Sequence, residues 1–415
     1  MILIKPGIVD GAVEAPSSKS MAIRAIAAAA LAKGKSEISI STFSDDANAA
    51  IRCAMALGAK IGKKKGKLLV FGGEGKKNGK LDCGESGLCI RMFAPIAALT
   101  GGKTTLSASD SLKNRDVGII EKPLIALGAK CSTNNGKPPV IVQGPLHGGS
   151  IEIDGSKSSQ VLTGLLSALP LCKEDSFIRA NSLKSKPYVK MTIELLKEFG
   201  VKVGADFENC TFAIKGGQNY TRANYKVEGD WSGAAFLLVA GAIAGKVQVR
   251  GLKPDSKQAD IAIVDALKAA GAKVLIAGGK NEVAVEKKLL EAFEFDATDC
   301  PDLFPPLAAL ACNCRGKSRI IGAARLRGKE SDRAAALLSE FGKMGAKISA
   351  AGDAMEITGG KLRGGAVDSH GDHRIAMACA VAALASEKGV EIKNEKCVSK
   401  SYPGFFGELK RLRVG

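Results

Sequence analysis

Five times along the chain an amphipathic helical pattern stops at a glycine that is closely followed by a lysine and an apolar residue. The segments are ALGAKI at Gly58, ALGAKC at Gly128, EFGVKV at Gly200, AAGAKV at Gly271 and KMGAKI at Gly345. A sixth helical pattern, FFGELKRLRVG, closes the chain at Gly415, and successive glycines lie 70, 72, 71, 74 and 70 residues apart. A glycine just past the last helical turn adopts the left-handed conformation cheaply, so each marks a helix C-terminus. The spacing predicts six units of about 70 residues, a periodicity that decides the architecture before any other signal.

A second series runs in step with the first. Six stretches of small apolar residues are polar only at their starts: from Ser18, Ser86, Ser158, Ser232, Pro301 and Asp372. They are apolar almost all round, which predicts burial. Each unit therefore holds one buried helix, one surface helix and short strands such as SIEID and VQVRG. Three caps fall before residue 229 and three after it. With 415 residues, too many for one ordinary core, this predicts two domains. One is residues 17–228. The other is residues 229–415 together with residues 1–16, the N-terminal strand crossing over and returning near Pro16.

Charged and hydrogen-bonding residues gather where the buried helices begin. They are Lys19, Ser20 and Arg24; Glu85 and Arg91; Ser158, Ser159 and Gln160; Asp230; Asp302; and Asp372, His373 and Arg374. A helix N-terminus offers unpaired N–H groups and partial positive charge, and so receives phosphate or carboxylate. The bland alternative is that Ser18, Ser86, Ser158 and Asp372 are N-caps and nothing more. Lysine and arginine near a helix start resist that reading, because the macrodipole disfavours a cation there. Another cluster, GKESDR at 328–333, precedes a surface helix and reads by default as a solvated charge run. If the starts point one way, each domain presents an anion-binding face, and two faces make a cleft for a polyanion.

Composition narrows the class. The net charge of +18 raises nucleic acid as a partner, but aromatics are only 5%, leaving few platforms for stacked bases. A small polyanion focused into a basic cleft is the competing reading. The longest uncharged apolar stretch, Trp231 to Gly245, is short of a membrane span. The N-terminus meets Lys5 and Asp10 too early for a signal peptide. Eleven cysteines without a CxxC pair read as reduced core residues of a cytoplasmic protein.

At these residues the chain resembles the 3-phosphoshikimate 1-carboxyvinyltransferase (EPSP synthase) family. The segments SSKSMAIRA, GESGLCIRM, SSQVLTGLLSALPL, SKPYVKMT, EGDWSGAA, PDLFP, KESDR, GDHRIAMA and KSYPGFF carry the likeness in the family's order, over residues 16 to 406. The resemblance implies an α/β fold of two similar domains, each of three βαβαββ-type repeats, the inverse α/β prism of the enolpyruvyl transferases. It implies transfer of the enolpyruvyl group of phosphoenolpyruvate to the 5-hydroxyl of shikimate 3-phosphate, by a monomer that needs no cofactor or metal. By the same resemblance Ser20, Arg24, Ser158, Ser159 and Ser185 contact shikimate 3-phosphate. Lys19, counted with the catalytic residues, lies between both substrates with Gln160 beside it. Gly87, Arg115, Arg333, Arg374 and Lys400 hold phosphoenolpyruvate. Asp302 and Lys329 meet the shikimate hydroxyls, and Asp302 and Glu330 are the acid–base pair. The chain departs from the family at Glu85, Leu88, Asp116 and Arg325, which bears on affinity and glyphosate sensitivity rather than reaction class. The sister family that uses UDP-N-acetylglucosamine begins with Lys–Asn where this chain has Lys19–Ser20, and uses a loop cysteine that is absent beside Arg115. RNA cyclases, built of related units, are the competitor from another class.

Overall fold

The computed structural model describes residues 1–73 and 79–414. Its contacts divide the chain into two units, Lys19–Val227 and Met1–Ser18 with Glu228–Gly415. Ser17, Ser18 and Glu228 therefore side with the C-terminal unit, unlike the expected boundaries. The reason is local pairing: Ser17 bridges Gly229, Ser18 N donates to Glu228 O at 2.9 Å, and Asp230 N donates to Pro16 O at 2.7 Å.

In the unit Lys19–Val227 buried and surface helices alternate. They are α1 (Lys19–Leu31), α2 (Asp45–Ala56), α3 (Gly87–Ala97), α4 (Glu121–Ala126), α5 (Gln160–Ala168) and α6 (Lys186–Glu198). Every residue of α3 is buried, as the absence of a polar face requires. Helix α2 carries the opposite pattern, with Asp45 and Asp46 in its first turn and Gly58 past its end at φ 110°. Gly128 and Gly200 follow α4 and α6 at φ 86° and 78°. Small residues let the buried helices touch backbone to backbone. A Cβ on Gly164 of α5 would stand 2.7 Å from Arg91 O of α3, so only glycine fits.

Among the described residues, this unit also holds three four-stranded sheets. In one, Lys80–Asp82 runs parallel to Lys103–Ser107; the hairpin Lys130–Asn134/Lys137–Gln143 then adds on antiparallel. With α3 between the first two strands and α4 before the hairpin, the order is βαβαββ. Ser150–Asp154, Ser176–Asn181, Thr211–Ile214 and Val203–Asp206 repeat it. The sheet containing Gly34–Ser39 takes its parallel edge, Asn224–Lys226, from the far end of the unit.

The second unit repeats the plan with α7 (Trp231–Ala244), α8 (Ile263–Ala269), α9 (Phe304–Ala311), α10 (Arg333–Lys343), α11 (His373–Ala383) and α12 (Phe405–Leu412). Buried α7, α9 and α11 pack against one another. The N-terminal strand Ile8–Glu14 lies parallel to Gly245–Arg250 here. The last repeat is incomplete. Gly365–Asp368 and Val390–Lys393 pair in parallel, but Ile2–Ile4 stands where the hairpin would be. Arg413–Val414 follows α12 as a strand against Ile8–Glu14. Gly415, the sixth expected cap, lies outside the described residues. Among the described residues no helix is long and apolar enough to cross a membrane. All eleven cysteines are free thiols.

Candidate functional site

In the unit Lys19–Val227 the polar helix starts are tied to one another. Arg24, in the second turn of α1, is 2% exposed. Its Nε donates to Thr192 Oγ1 of α6 at 2.8 Å and its Nη2 to Thr163 Oγ1 of α5 at 3.3 Å; Nη1 donates to Ser20 O at 2.8 Å. No carboxylate among the described residues pairs with it, and burial lowers its guanidinium to about 10. A buried cation surrounded only by neutral acceptors is costly.

Around the start of α3 the arrangement is different. Arg91 Nη1 donates to Gln160 Oε1 of α5 at 2.9 Å and to Gly87 O at 3.1 Å, while Nη2 reaches Asp116 O. A Cβ on Gly87 would lie 2.9 Å from both Arg91 Nη1 and Arg115 Nη1, so the glycine leaves room for two guanidinium tips beside a helix start. Lys19 pairs with Asp46 of α2 at 3.1 Å. Ser86 caps α3 by accepting from Cys89 N. Ser158 Oγ accepts from Gln160 N, and Ser159 beside it is buried. Ser18 is not a cap: its hydroxyl is buried with no hydrogen-bond partner among the described residues, contrary to the capping reading. Ser185 precedes α6 at φ 56°.

The other unit gathers acids as well as bases. Arg333, 1% exposed at the start of α10, meets three carboxylates: Asp372 Oδ2 at 2.7 Å from Nε, Asp302 Oδ1 at 2.7 Å from Nη1, and Glu330 Oε2 at 2.6 Å from Nη2. Burial works against this guanidinium, but those carboxylates outweigh it and hold the proton more tightly than usual. Arg374 Nη2 reaches Asp302 Oδ2 at 2.8 Å, and Lys329 Nζ stands 3.9 Å from Asp302 Oδ1. Burial opposes the charge of Asp302; Arg374, Lys329 and Arg333 overcome it and keep the carboxylate well below its ordinary range. Burial brings the Lys329 ammonium down to about 8. Asp372 caps α11, accepting from Arg374 N at 2.9 Å. His373 is fully buried, with Nδ1 3.8 Å from Asp372 Oδ1. Lys400 is buried at the end of the 3-10 segment Glu395–Lys400, which packs on α11.

GKESDR is thus no solvated run, since it supplies Lys329, Glu330 and Arg333 to one ion cluster. Lys19, Arg24, Gly87, Arg115 and Gln160 gather at helix starts in one unit; Asp302, Lys329, Glu330, Arg333 and Arg374 gather in the other. The positions that depart from the family are also engaged. Glu85 accepts from Ser111 N and Oγ, and Asp116 Oδ1 accepts from Gly118 N. Leu88 is buried, and burial lowers the Arg325 guanidinium. Sequence reasoning missed Asp46, Thr163, Thr192 and Asp260, which are 5%, 0%, 0% and 0% exposed. Their signal was faint: a single threonine or acid within a helix or turn carries no periodicity of its own.

The profile of the EPSP synthase (3-phosphoshikimate 1-carboxyvinyltransferase) family matches residues 4–409. The 3-phosphoshikimate 1-carboxyvinyltransferase of Clostridium novyi is 38% identical, over 99% of this chain and 97% of the relative. That of Aeropyrum pernix is 39% identical over 99% and 95%. Among solved structures, EPSP synthase from Acinetobacter baumannii superimposes with a TM-score of 0.84 at 27% identity, covering 99% and 98%. The enolpyruvyl transferase NikO from Streptomyces tendae reaches 0.78 at 18% identity, over 99% and 96%, a likeness of fold alone.

Proposed function

This chain belongs to the EPSP synthase family, and on that premise we propose that it transfers the enolpyruvyl group of phosphoenolpyruvate to the 5-hydroxyl of shikimate 3-phosphate. The observation that carries the reading is Arg24, a buried cation that pairs with no carboxylate among the described residues, for which an anionic ligand supplies the balancing charge. Arg24 and Ser20, with Ser158, Ser159 and Ser185, take shikimate 3-phosphate. Lys19 and Gln160 border both substrates, and Gly87, Arg115, Arg333, Arg374 and Lys400 hold phosphoenolpyruvate. Guanidinium groups suit carboxylate and phosphate because their paired N–H groups match two oxygens at once.

The chemistry needs one proton delivered to carbon and one removed from oxygen. The 5-hydroxyl oxygen bonds to C2 of phosphoenolpyruvate while C3 gains a proton, giving a tetrahedral intermediate. Loss of a C3 proton and of phosphate then restores the double bond. Glu330 is the group assigned to C3, and Asp302 to the hydroxyl. Within this cluster Asp302 is ionised but a weak base, because three cations hold its charge. Anions that draw Arg333 and Arg374 away raise its basicity, so the base strengthens as the substrates arrive. Assay of phosphate release from both substrates together tests the reading, with UDP-N-acetylglucosamine as the competing acceptor.

A further inference from the structure

One buried carboxylate in the C-terminal unit has no part in the roles above. Asp260 sits in the 3-10 turn Ala259–Ala262 and is 0% exposed. The turn is fixed by Gln258, which accepts from Trp231 N at 3.1 Å and donates to Gly229 O at 2.8 Å. Asp260 Oδ2 accepts from Ser232 Oγ in the first turn of α7. Its Oδ1 has no hydrogen-bond partner among the described residues. The charges that act on it are those of Asp302 ahead of α9, Arg374 of α11 and Asp230 at the N-cap of α7, and the Cys300 thiol feels its charge in turn. Arg374 is therefore the cation that favours its charge, against two carboxylates that oppose it. Arg374 in turn has spare capacity: Nη2 is on Asp302, while Nε and Nη1 are buried without partners among the described residues.

We propose that Asp260 balances charge at Arg374: when an anionic substrate takes this guanidinium, Asp260 takes up a proton on Oδ1. The inference rests on the reading that Arg374 receives phosphoenolpyruvate. The physical reason is that a buried carboxylate without a paired cation is expensive, and such groups neutralise rather than stay charged. An anion on Arg374 cancels the positive field at Asp260 and adds repulsion. The proton comes from water or a buffer acid; one O–H bond forms and no other bond changes. Burial, followed by the field of Asp302, already brings the Asp260 carboxyl up to about 7, so the exchange falls near neutral pH. Asp260 is a positioning residue in this scheme, acting through Arg374 rather than on the reacting atoms.

The sign follows from linkage. Below about pH 7 Asp260 is already protonated and binding draws no proton. Above it, binding must take one from an increasingly dilute pool, so anion affinity falls by up to about tenfold per pH unit. The test is calorimetric titration at pH 8 in two buffers of different ionisation heat, for the wild type and Asp260→Asn. The probes are phosphoenolpyruvate and inorganic sulfate, whose charge is fixed across this range. The wild type should take up as much as one proton more per anion than Asp260→Asn. The variant should bind phosphoenolpyruvate up to about tenfold more tightly at this pH. Equal uptake by both proteins overturns the proposal even if phosphoenolpyruvate binds well. Extra uptake with sulfate but no phosphoenolpyruvate binding keeps the proposal and removes the substrate reading. Should Asp260→Asn not fold, Ser232→Ala serves instead. Loss of the hydroxyl that stabilises the ionised form must move the onset of uptake to higher pH, and an unmoved onset counts against the proposal.

Discussion

Arg24 and Arg333 carry the same charge in opposite surroundings, and the contrast assigns them different work. Arg333 is balanced three times over by Asp372, Asp302 and Glu330. Among the described residues Arg24 has Thr192, Thr163 and Ser20 as its acceptors. Replacing Arg24 by methionine, similar in length, should raise the KM for shikimate 3-phosphate about 10- to 100-fold, the worth of about 1.5–3 kcal/mol for a charged hydrogen bond. The same change should raise the melting temperature of the ligand-free protein, because it removes an unpaired buried charge. A lowered melting temperature alongside the raised KM would mean that the residue is structural. For the proton-transfer pair, Asp302→Asn and Glu330→Gln keep shape and lose the ionisable group. Steady-state kinetics should show kcat reduced about 10²- to 10⁴-fold in each. Asp302 also has a stability signature. Its carboxyl is held below the ordinary range, so its contribution is fully present above about pH 3.9 and is lost as pH falls through the folded-state value. Urea midpoints of the wild type and Asp302→Asn should therefore differ most near neutral pH and converge below about pH 4.

Helices are where most of the architecture was legible. All five glycines Gly58, Gly128, Gly200, Gly271 and Gly345 have positive φ, from 78° to 110°. That one local requirement, repeated every 70-odd residues, marked the surface helices, and the polar starts of apolar runs marked the buried ones. Strand exchange was harder to read. Nothing in NYK at 224–226 says that it pairs with Gly34–Ser39, nearly the whole unit away, because a three-residue strand has almost no pattern. The edge of the last repeat escaped for a related reason: it is filled by Ile2–Ile4, another three-residue strand, from the far end of the sequence. Side-chain partners of opposite sign, such as Glu330 with Arg333, were visible only as composition. Asp260 was invisible because a single acid in SKQADIA looks like any exposed one. Close helix contact also makes a prediction at this scale. Gly164→Ala forces α5 away from Arg91 O and Met92 Cα, and should cost about 1–3 kcal/mol, read as a lowered melting temperature with unchanged secondary structure.

Across the whole chain, a charge of +18 is a statement about partners rather than about fold. Several of the cations lie buried at helix starts, Arg24, Arg91, Arg333 and Arg374 among them. Cations placed there serve compact anions, whereas a nucleic acid asks for exposed lysines and stacking rings. Binding of shikimate 3-phosphate should weaken as salt rises, while single-stranded and duplex nucleic acid should bind only weakly at physiological salt; a sub-micromolar complex would revive the nucleic-acid reading. The six-unit plan, the family profile over residues 4–409 and relatives covering 99% of the chain all point to the same chemistry. The measurement that tests it most directly is phosphate release with phosphoenolpyruvate and each acceptor in turn, with the organic product identified by mass. The account predicts release that requires shikimate 3-phosphate, one phosphate per enolpyruvyl ether formed. Silence with shikimate 3-phosphate, or turnover with UDP-N-acetylglucosamine in its place, would contradict it.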